Sequence, residues 1–182
     1  MIPALASNRP TATEYAPYYE KYIALVPEGD IVSLLQRQIE SSQALLRSAS
    51  EQLGDFAYAA GKWTLKEVLG HLSDSERIFS YRILRISRND TTPIEGFEQD
   101  DYVRYGPFRT SKLSDLVEDF AAVRRTTLSL LRSLDGEAWL RRGVANQNEV
   151  SVRALAYITA GHELHHIGIL RDKYFSARVA GG

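Results

Sequence analysis

The sequence of 182 residues contains no cysteine. Disulfide bonds, thiolate metal ligands and a cysteine nucleophile are therefore excluded, and any thiol in a reaction must arrive as a ligand. The chain also lacks an excess of charge of one sign, since 22 basic residues stand against 23 acidic residues for a net charge of −1. Such a chain has no bulk field that attracts a phosphate backbone, so we expect no nucleic-acid partner.

Long hydrophobic runs are absent as well. No stretch approaches the ~20 apolar residues that a membrane span needs, and the N-terminus, MIPALASNRP, has no basic segment followed by an apolar run. We therefore expect a cytoplasmic protein without a membrane partner. The chain is 44% hydrophobic and 25% charged, as is usual for one soluble domain. We expect a single domain over residues 1–182, with an N-terminal arm over 1–29 and a flexible tail over 176–182.

Apolar residues recur at helical spacing in four segments, and this pattern predicts an all-α fold. The predicted helices run from Asp30 to about Gln52, from Thr64 to about Ser87, from about Ser111 or Ser114 to Leu134, and from Ser151 to about Phe175. Asp30 and Ser151 are expected N-cap residues, and Thr64 with Glu67 matches a capping box. No segment predicts a pair of strands, and residues Arg141 to Asn148 are expected to form a polar loop.

The connection between the second and third predicted helices, residues 88–110, is unusually long for a small helical protein. A helix of ~20 residues spans ~30 Å, so a connection of this length can return to the starting end and let consecutive helices run parallel. We therefore expect a four-helix bundle with a long crossover between helices 2 and 3.

Three of the four histidines follow the pattern of a metal site. His162 and His166 lie one turn apart on the apolar face of the last predicted helix, so their imidazoles point to the same side. Imidazole is a common ligand of divalent transition metals, and His71 is the candidate for the third ligand. His165 could pair with His162 instead, but it lies further from the centre of the apolar face, so we expect it beside the ligands or at the surface. The alternative is that these are ordinary buried histidines, satisfied by neighbouring carbonyls or carboxylates.

Acidic side chains near His71 are candidates for proton transfer. Asp74 follows His71 by three residues and Glu67 precedes it by four, so either carboxylate could orient the imidazole or reach a water on the metal. Glu67 already belongs to the predicted capping box, whereas Asp74 could instead form ion pairs on a solvated face. Asp74 is therefore the candidate catalytic residue beside the predicted ligands. Trp63 is expected to pack on Val68 as a hydrophobic staple, which is a structural role.

Three parts of the chain resemble motifs of the DinB-like superfamily. They are GKWTLKEVLGHL at residues 61–72 with DSER at 74–77, FEQDDY at 97–102, and AGHELHH at 160–166. The match spans Pro27 to Tyr174. The resemblance implies a four-helix bundle, commonly dimeric, that carries a divalent metal on three histidines, which map onto His71, His162 and His166. Zinc or nickel is the metal most expected on such ligands, and iron or manganese is also compatible.

Members of this superfamily include bacillithiol S-transferases, mycothiol-dependent enzymes and the bundle domain of ergothioneine-forming synthases. The resemblance therefore implies thiol chemistry on a metal. Our hypothesis is a transferase that joins a low-molecular-weight thiol to an electrophilic small-molecule substrate, with Asp74, Asp100 or Asp101 moving protons. A metal-dependent hydrolase would need the same ligands. A third alternative is a non-catalytic binding protein, in which the metal joins two helices of a dimeric bundle. The last helix has a second apolar side that suits packing on more helices or on a partner chain, with Ala156, Tyr157, Ala160, Leu164 and Ile167.

Overall fold

The computed structural model describes residues 8–176, in which eight α-helices and one two-stranded sheet follow one another along the chain. They are α1 (Glu20–Ile23), α2 (Ile31–Arg47), α3 (Glu51–Gly54), α4 (Leu65–Ser87), α5 (Gln99–Tyr105), α6 (Leu113–Arg132), α7 (Gly136–Leu140), β1 (Arg142–Ala145), β2 (Asn148–Ser151) and α8 (Val152–Ile169). Two short 3₁₀ turns, Ala12–Glu14 and Pro17–Tyr19, precede α1, and a π-helical turn, Leu170–Phe175, continues α8. The tail predicted over residues 176–182 lies, except for Ser176, outside the described residues.

The four long helices, α2, α4, α6 and α8, form the predicted four-helix bundle. α6 packs against α2 and α4, and α8 packs against the same two helices. The consecutive helices α2 and α4 therefore lie diagonally across the bundle. None of the helices within residues 8–176 combines the length and the apolar character that a membrane span requires.

α4 and α6 run parallel, in agreement with the length of the connection between them. At the start of α4, Glu67 accepts a hydrogen bond from Arg109, which lies just before α6. Further along both helices, Arg77 donates to Asp119. The contacts of α2 and α8 show that these two helices are also parallel to each other and antiparallel to α4 and α6. The crossover, residues 88–112, therefore returns along the bundle, and α5 within it packs against α4.

Three of the four predicted helix starts are confirmed by their caps, and the third predicted helix begins at Leu113 after Lys112, which forms no cap hydrogen bond with its side chain. The side chains of Asp30, Thr64 and Ser151 each accept a hydrogen bond from a backbone N–H three residues further on. The first predicted helix is wrong beyond Arg47, however, because Ser50 caps a separate short helix, α3. A serine that satisfies free backbone donors starts a new helix at this point rather than extending the old one.

The polar loop predicted over Arg141 to Asn148 is wrong, because this segment belongs to an antiparallel hairpin. β1 and β2 pair so that Ala145 faces Asn148. Asn146 and Gln147 connect the strands with positive φ values of 48° and 63°. This is the backbone of a type I′ turn, which suits the twist of a two-residue hairpin. The sequence lacks the usual glycine in this turn, and the hairpin signal was therefore weak.

Residues 9–29, which we call the N-terminal strap, lie across the bundle and cover α8. Buried Glu14 accepts hydrogen bonds from Ser151 at 2.8 Å and from Arg153 at 3.1 Å. Arg9 donates to two backbone carbonyls within the strap, which hold its fold. Since α1 packs on α8, the strap accounts for the second apolar side of the last helix within one chain. That apolar side therefore no longer argues for a dimer.

Candidate metal centre

The candidate metal centre lies where two apolar clusters of the bundle meet. Each cluster is a group of buried apolar side chains with members on both α4 and α8. Along each of these helices, the last side chain of one cluster and the first of the other are about two turns apart. His162 and His166 lie at this junction on α8, and His71 lies directly before it on α4. The histidines therefore form a polar layer between the two apolar clusters of the bundle. The packed side chains of these clusters hold the histidine-bearing parts of α4 and α8 in place.

The three predicted ligands converge. The Nε2 atom of His71 is 3.0 Å from the Nε2 atom of His162, and ring nitrogens of His71, His162 and His166 all lie within 4.8 Å of one another. Nitrogens bonded to one cation at ~2.1 Å each lie up to ~4.2 Å apart, so small ring rotations suffice for all three to contact a single ion. The structure thus brings together the residues that the spacing singled out, from helices that are far apart in sequence.

The imidazoles of this cluster are neutral at physiological pH. Burial lowers the pKa of His71 to about 4 and, together with the neighbouring His71, lowers the pKa of His166 to about 3. The pKa of His162 is also well below its ordinary value, because of burial and then of the positive charge that His166 or His71 would carry if protonated. A neutral imidazole has a free lone pair and is the form that binds metals.

The partners of these rings argue against ordinary buried histidines. In the part of the chain that the structure describes, His71 and His162 share one hydrogen bond, Ser75 Oγ lies 3.5 Å from Nδ1 of His71, and the ring of His166 forms no hydrogen bond. Neither a carboxylate nor a backbone carbonyl satisfies them there. Between His71 and His162 one Nε2 atom must donate its proton to the other, whereas a shared cation accepts a lone pair from each of the three rings.

Aromatic side chains enclose the cluster. The ring of Trp63 lies 4.9 Å from that of His71, and the rings of Tyr22 and Phe79 contact His162 edge-on at 5.4 and 5.7 Å. These contacts restrict the orientation of the histidine rings. The sequence indicated only a staple for Trp63 and nothing for Tyr22, because both contacts depend on how separate segments pack.

Two glycines allow other segments to approach the ligand helices closely. Gly161 precedes His162, and a Cβ atom there would lie 2.1 Å from the backbone oxygen of Tyr22. Gly70 precedes His71, and a Cβ atom there would lie 2.2 Å from the ring of Phe108. No side chain larger than hydrogen fits these distances. The strap and the crossover are therefore held against the helix surface directly beside two of the ligands.

The fourth histidine, His165, lies outside the three-nitrogen cluster. It is half-buried, and its ring packs edge-on against Tyr22 at 5.3 Å. This is the position beside the ligands that its place on the helix predicts. Spacing alone left a choice between His165 and His166 as the partner of His162, and the fold of α8 brings His166 to the others.

The acidic residues near His71 have other partners. Glu67 receives hydrogen bonds from the Thr64 N–H and from Arg109 at 2.7 Å each. Burial raises the pKa of Glu67, but these hydrogen bonds lower it by more, so the net pKa shift is downward. Asp74 forms an ion pair with Arg77 at 3.2 Å and lines neither of the cavities beside the histidines. A role for Asp74 in proton transfer therefore stays a prediction that no contact in residues 8–176 supports.

Two cavities of about 260 Å³ each reach the histidine cluster. The first cavity is lined by His71, His162, Ser75, Phe79 and Arg82, and is closed by strap tyrosines and by residues 97–99. The second cavity is lined by His166 together with Lys62, Trp63, Asp100 and Tyr174. The two share no lining residue. Small molecules can thus approach the same cluster from two separate spaces.

The comparisons with known proteins agree with this fold. YfiT from Bacillus subtilis, described as a probable metal-dependent hydrolase with an unusual four-helix bundle topology, is similar with a TM-score of 0.71 and 16% identity over 97% of this chain and 95% of that chain. A mycothiol-dependent maleylpyruvate isomerase is similar with a TM-score of 0.65 and 13% identity over 80% of this chain. This chain spans 61% of the isomerase.

At such low identities, these likenesses show the fold and not the reaction. A search of the curated proteins finds no match. The sequence model of the DinB superfamily matches residues 34–170, which is well over half of the chain and includes all four bundle helices from early in α2 to the end of α8. This protein therefore belongs to the DinB superfamily.

Proposed function

We propose that this protein is an enzyme that holds a divalent cation on His71, His162 and His166 and joins a low-molecular-weight thiol to an electrophilic small molecule. The observation that carries the proposal is the convergence of three neutral imidazoles at a point that two cavities reach. When bound, a divalent cation at this point supplies a Lewis acid that lowers the pKa of a thiol. The chain has no cysteine, so the thiol is a substrate.

The donor set fits such a cation. Three imidazoles suit zinc or nickel, and also iron or manganese, and a site with only three protein ligands leaves coordination positions for substrate. The neighbouring rings of Trp63, Tyr22 and Phe79 hold the donors in place. Little reorganisation is therefore needed when the ion binds.

The separate cavities favour transfer between two organic molecules. A transferase must hold a thiol and an electrophile at one point, and each cavity of about 260 Å³ has room for part of such a molecule. Asp100 lines the second cavity with His166, where its carboxylate can take up the proton that the thiol loses. Hydrolysis is the second candidate, since the fold of YfiT, a probable metal-dependent hydrolase, covers nearly the whole chain.

We also propose that the enzyme works in the cytoplasm on small molecules and has no nucleic-acid partner. The net charge of −1 and the absence of cysteine support this. The resemblance to the superfamily still predicts a homodimer. The second apolar side of α8 does not support this prediction, because the strap covers it.

The test compares the wild-type chain, purified without a tag, with His162→Ala and His165→Ala. We expect about one divalent ion per chain in wild type and in His165→Ala, because His165 lies outside the cluster, and loss of most of the metal in His162→Ala. Metal content by mass spectrometry and consumption of several thiols with a panel of electrophiles are the two measurements. Equal metal in all three chains would refute the site.

The activity measurements separate the alternatives. Turnover that needs both the metal and a thiol supports transfer. Metal-dependent turnover without a thiol refutes transfer and favours the hydrolase. A chain that retains its metal but is inert with every thiol and electrophile favours the non-catalytic binding protein, in which the metal joins two helices of the bundle.

A further inference from the structure

One buried cation of the bundle has no acidic partner. The fully buried Lys and Arg residues within 8–176 are Lys66, Arg82 and Arg124. Lys66 forms ion pairs with two carboxylates, and so does Arg124. Arg82, by contrast, forms no ion pair with any residue of this part of the chain. Its guanidinium makes one hydrogen bond, to the backbone oxygen of Glu95 at 3.2 Å, and its Nε atom has no partner.

An unpaired guanidinium is unfavourable in this position. Arginine does not lose its proton in proteins, so burial cannot neutralise it. The two other buried cations show how the fold normally compensates such a charge, with a carboxylate at 2.5 to 2.8 Å. The guanidinium of Arg82 is therefore free to bind a counter-ion that does not belong to residues 8–176.

Arg82 lines the first cavity, the one that reaches His71 and His162. His71, Ser75, Phe79 and Arg82 follow one another at intervals of four, four and three residues, so they form a stripe along one face of α4. The backbone positions of His71 and Arg82 are ~16 Å apart along the helix, and both side chains contribute to the cavity between them. A ligand in this cavity can thus touch the histidines at one end and the guanidinium at the other.

We propose that Arg82 binds a carboxylate of the substrate in the first cavity, so that the enzyme acts on a carboxylate-bearing small molecule whose reacting end lies at the histidines. The guanidinium offers a planar fork of N–H donors that matches a carboxylate. Phe79 and Phe97 also line this cavity and suit an apolar part of the ligand. Glu98 also lines the cavity, but it is exposed to water and forms no ion pair with Arg82.

The carboxylate site extends the proposed function, and it is tested on its own with a matched pair of probes. Binding of 3-phenylpropionate and of its uncharged analogue 3-phenylpropionamide to the full chain is measured by calorimetry, before and after removal of metal with a chelator. We expect the wild-type chain to bind the carboxylate about tenfold more tightly than the amide in both states. Equal affinity for the two probes in the metal-free chain would overturn the proposal.

Three variants assign the preference to Arg82. Arg82→Met should abolish the preference while amide binding persists, Arg82→Lys should keep a smaller preference because a point charge replaces the fork, and Arg88→Met, an exposed arginine at the end of the same helix, should behave as wild type. A preference that survives in Arg82→Met refutes the proposal.

Stability gives a second readout. Without ligand, Arg82→Met should melt at or above the wild-type temperature, because a buried charge without a partner has been removed. A clear drop would show that Arg82 serves the fold instead and would count against the proposal.

The variant His162→Ala distinguishes the two proposals. A carboxylate preference that disappears in His162→Ala and persists in Arg82→Met would place the carboxylate on the cation, which refutes the role of Arg82 and leaves the metal centre intact. Conversely, the proposed function fails if His71, His162 and His166 bind no metal. The preference for the carboxylate over the amide in the metal-free chain would then be unchanged.

Discussion

At the residue scale, the consecutive residues Gly161 and His162 link a close backbone contact to the metal centre. The glycine lets the backbone of Tyr22 touch α8, and the Tyr22 ring then lies against the next residue, His162. The close approach is between two backbones, which cannot adjust as the end of a flexible side chain can. A single methyl group at this position therefore affects both stability and ligand orientation.

We predict that Gly161→Ala destabilises the fold by ~1–3 kcal/mol, as overpacking of a tight contact does, and weakens metal binding. Gly168 is the matched control on the same helix, since a Cβ atom there would meet no other part of the described chain within 4 Å. Gly168→Ala should stabilise the chain by up to ~1 kcal/mol through helix propensity. Urea unfolding followed by circular dichroism, together with metal titration, measures both effects. Similar stability changes in the two variants would contradict the argument.

The ligands could be predicted from the sequence, but their surroundings could not. His162 and His166 share a face in any regular helix, so the pair follows from local geometry alone. Arg82, Tyr22 and the ring contact of Trp63 depend on segments that meet only in the folded bundle. Helix periodicity carries no information about which buried arginine will lack a carboxylate.

At the scale of elements, the N-terminal strap shows the limit of periodic patterns. Its 3₁₀ turns and its four-residue helix α1 are too short to produce a hydrophobic repeat. Its apolar side chains pack in the core without a regular spacing, and the hydrogen bonds of Glu14 with Ser151 and Arg153 join it to the start of α8. The β1–β2 hairpin was not predicted for a similar reason. Each of its strands has only four residues, which is too short for a clear alternation of apolar and polar residues.

The strap should loosen at acid pH. Burial opposes the ionisation of Glu14, but the hydrogen bonds from Arg153, from the Thr11 N–H and from Ser151 outweigh it and lower its pKa from 4.5 to about 2. The folded state therefore binds the proton more weakly than the unfolded state, so the stabilisation is complete above pH 4.5 and is lost as the pH falls towards 2.

We therefore predict that the difference in unfolding free energy between wild type and Glu14→Gln is constant from pH 7 to about 5 and shrinks below pH 4.5. Urea unfolding at a series of pH values measures it. Glu28→Gln is the control on the same strap, because the Glu28 side chain is 84% exposed and its ion pair with Arg9 should contribute at most ~1 kcal/mol. A difference that does not change with pH would contradict the assignment.

At the scale of the whole molecule, the arrangement of the four long helices was predictable in part. The long helices and the crossover followed from periodicity and from the length of residues 88–110. The placement of α2 diagonally opposite α4 could not be predicted, since several arrangements bury the same apolar faces. The buried contacts of Arg124 with Glu76 of α4 and Glu163 of α8 belong to the observed arrangement alone.

Because the histidines belong to α4 and α8, a bound cation should stabilise the entire bundle. An ion that binds the folded chain alone adds about 2.7 kcal/mol to the unfolding free energy at a free concentration one hundred times the Kd. We predict a higher melting temperature on addition of metal to wild type and to His165→Ala, reversed by a chelator, and no shift for His162→Ala. Differential scanning calorimetry measures it. A wild-type melting temperature that does not change on addition of metal would contradict the prediction.

The separation of 91 positions in sequence between His71 and His162 also bears on the order of assembly. Any folding intermediate in which α8 has not yet docked on α4 offers an incoming ion at most two of the three imidazoles, and two hold it more weakly than three. Firm capture of the ion therefore belongs to the last stage of folding. Retained metal in a preparation is then a marker that its molecules have matured completely.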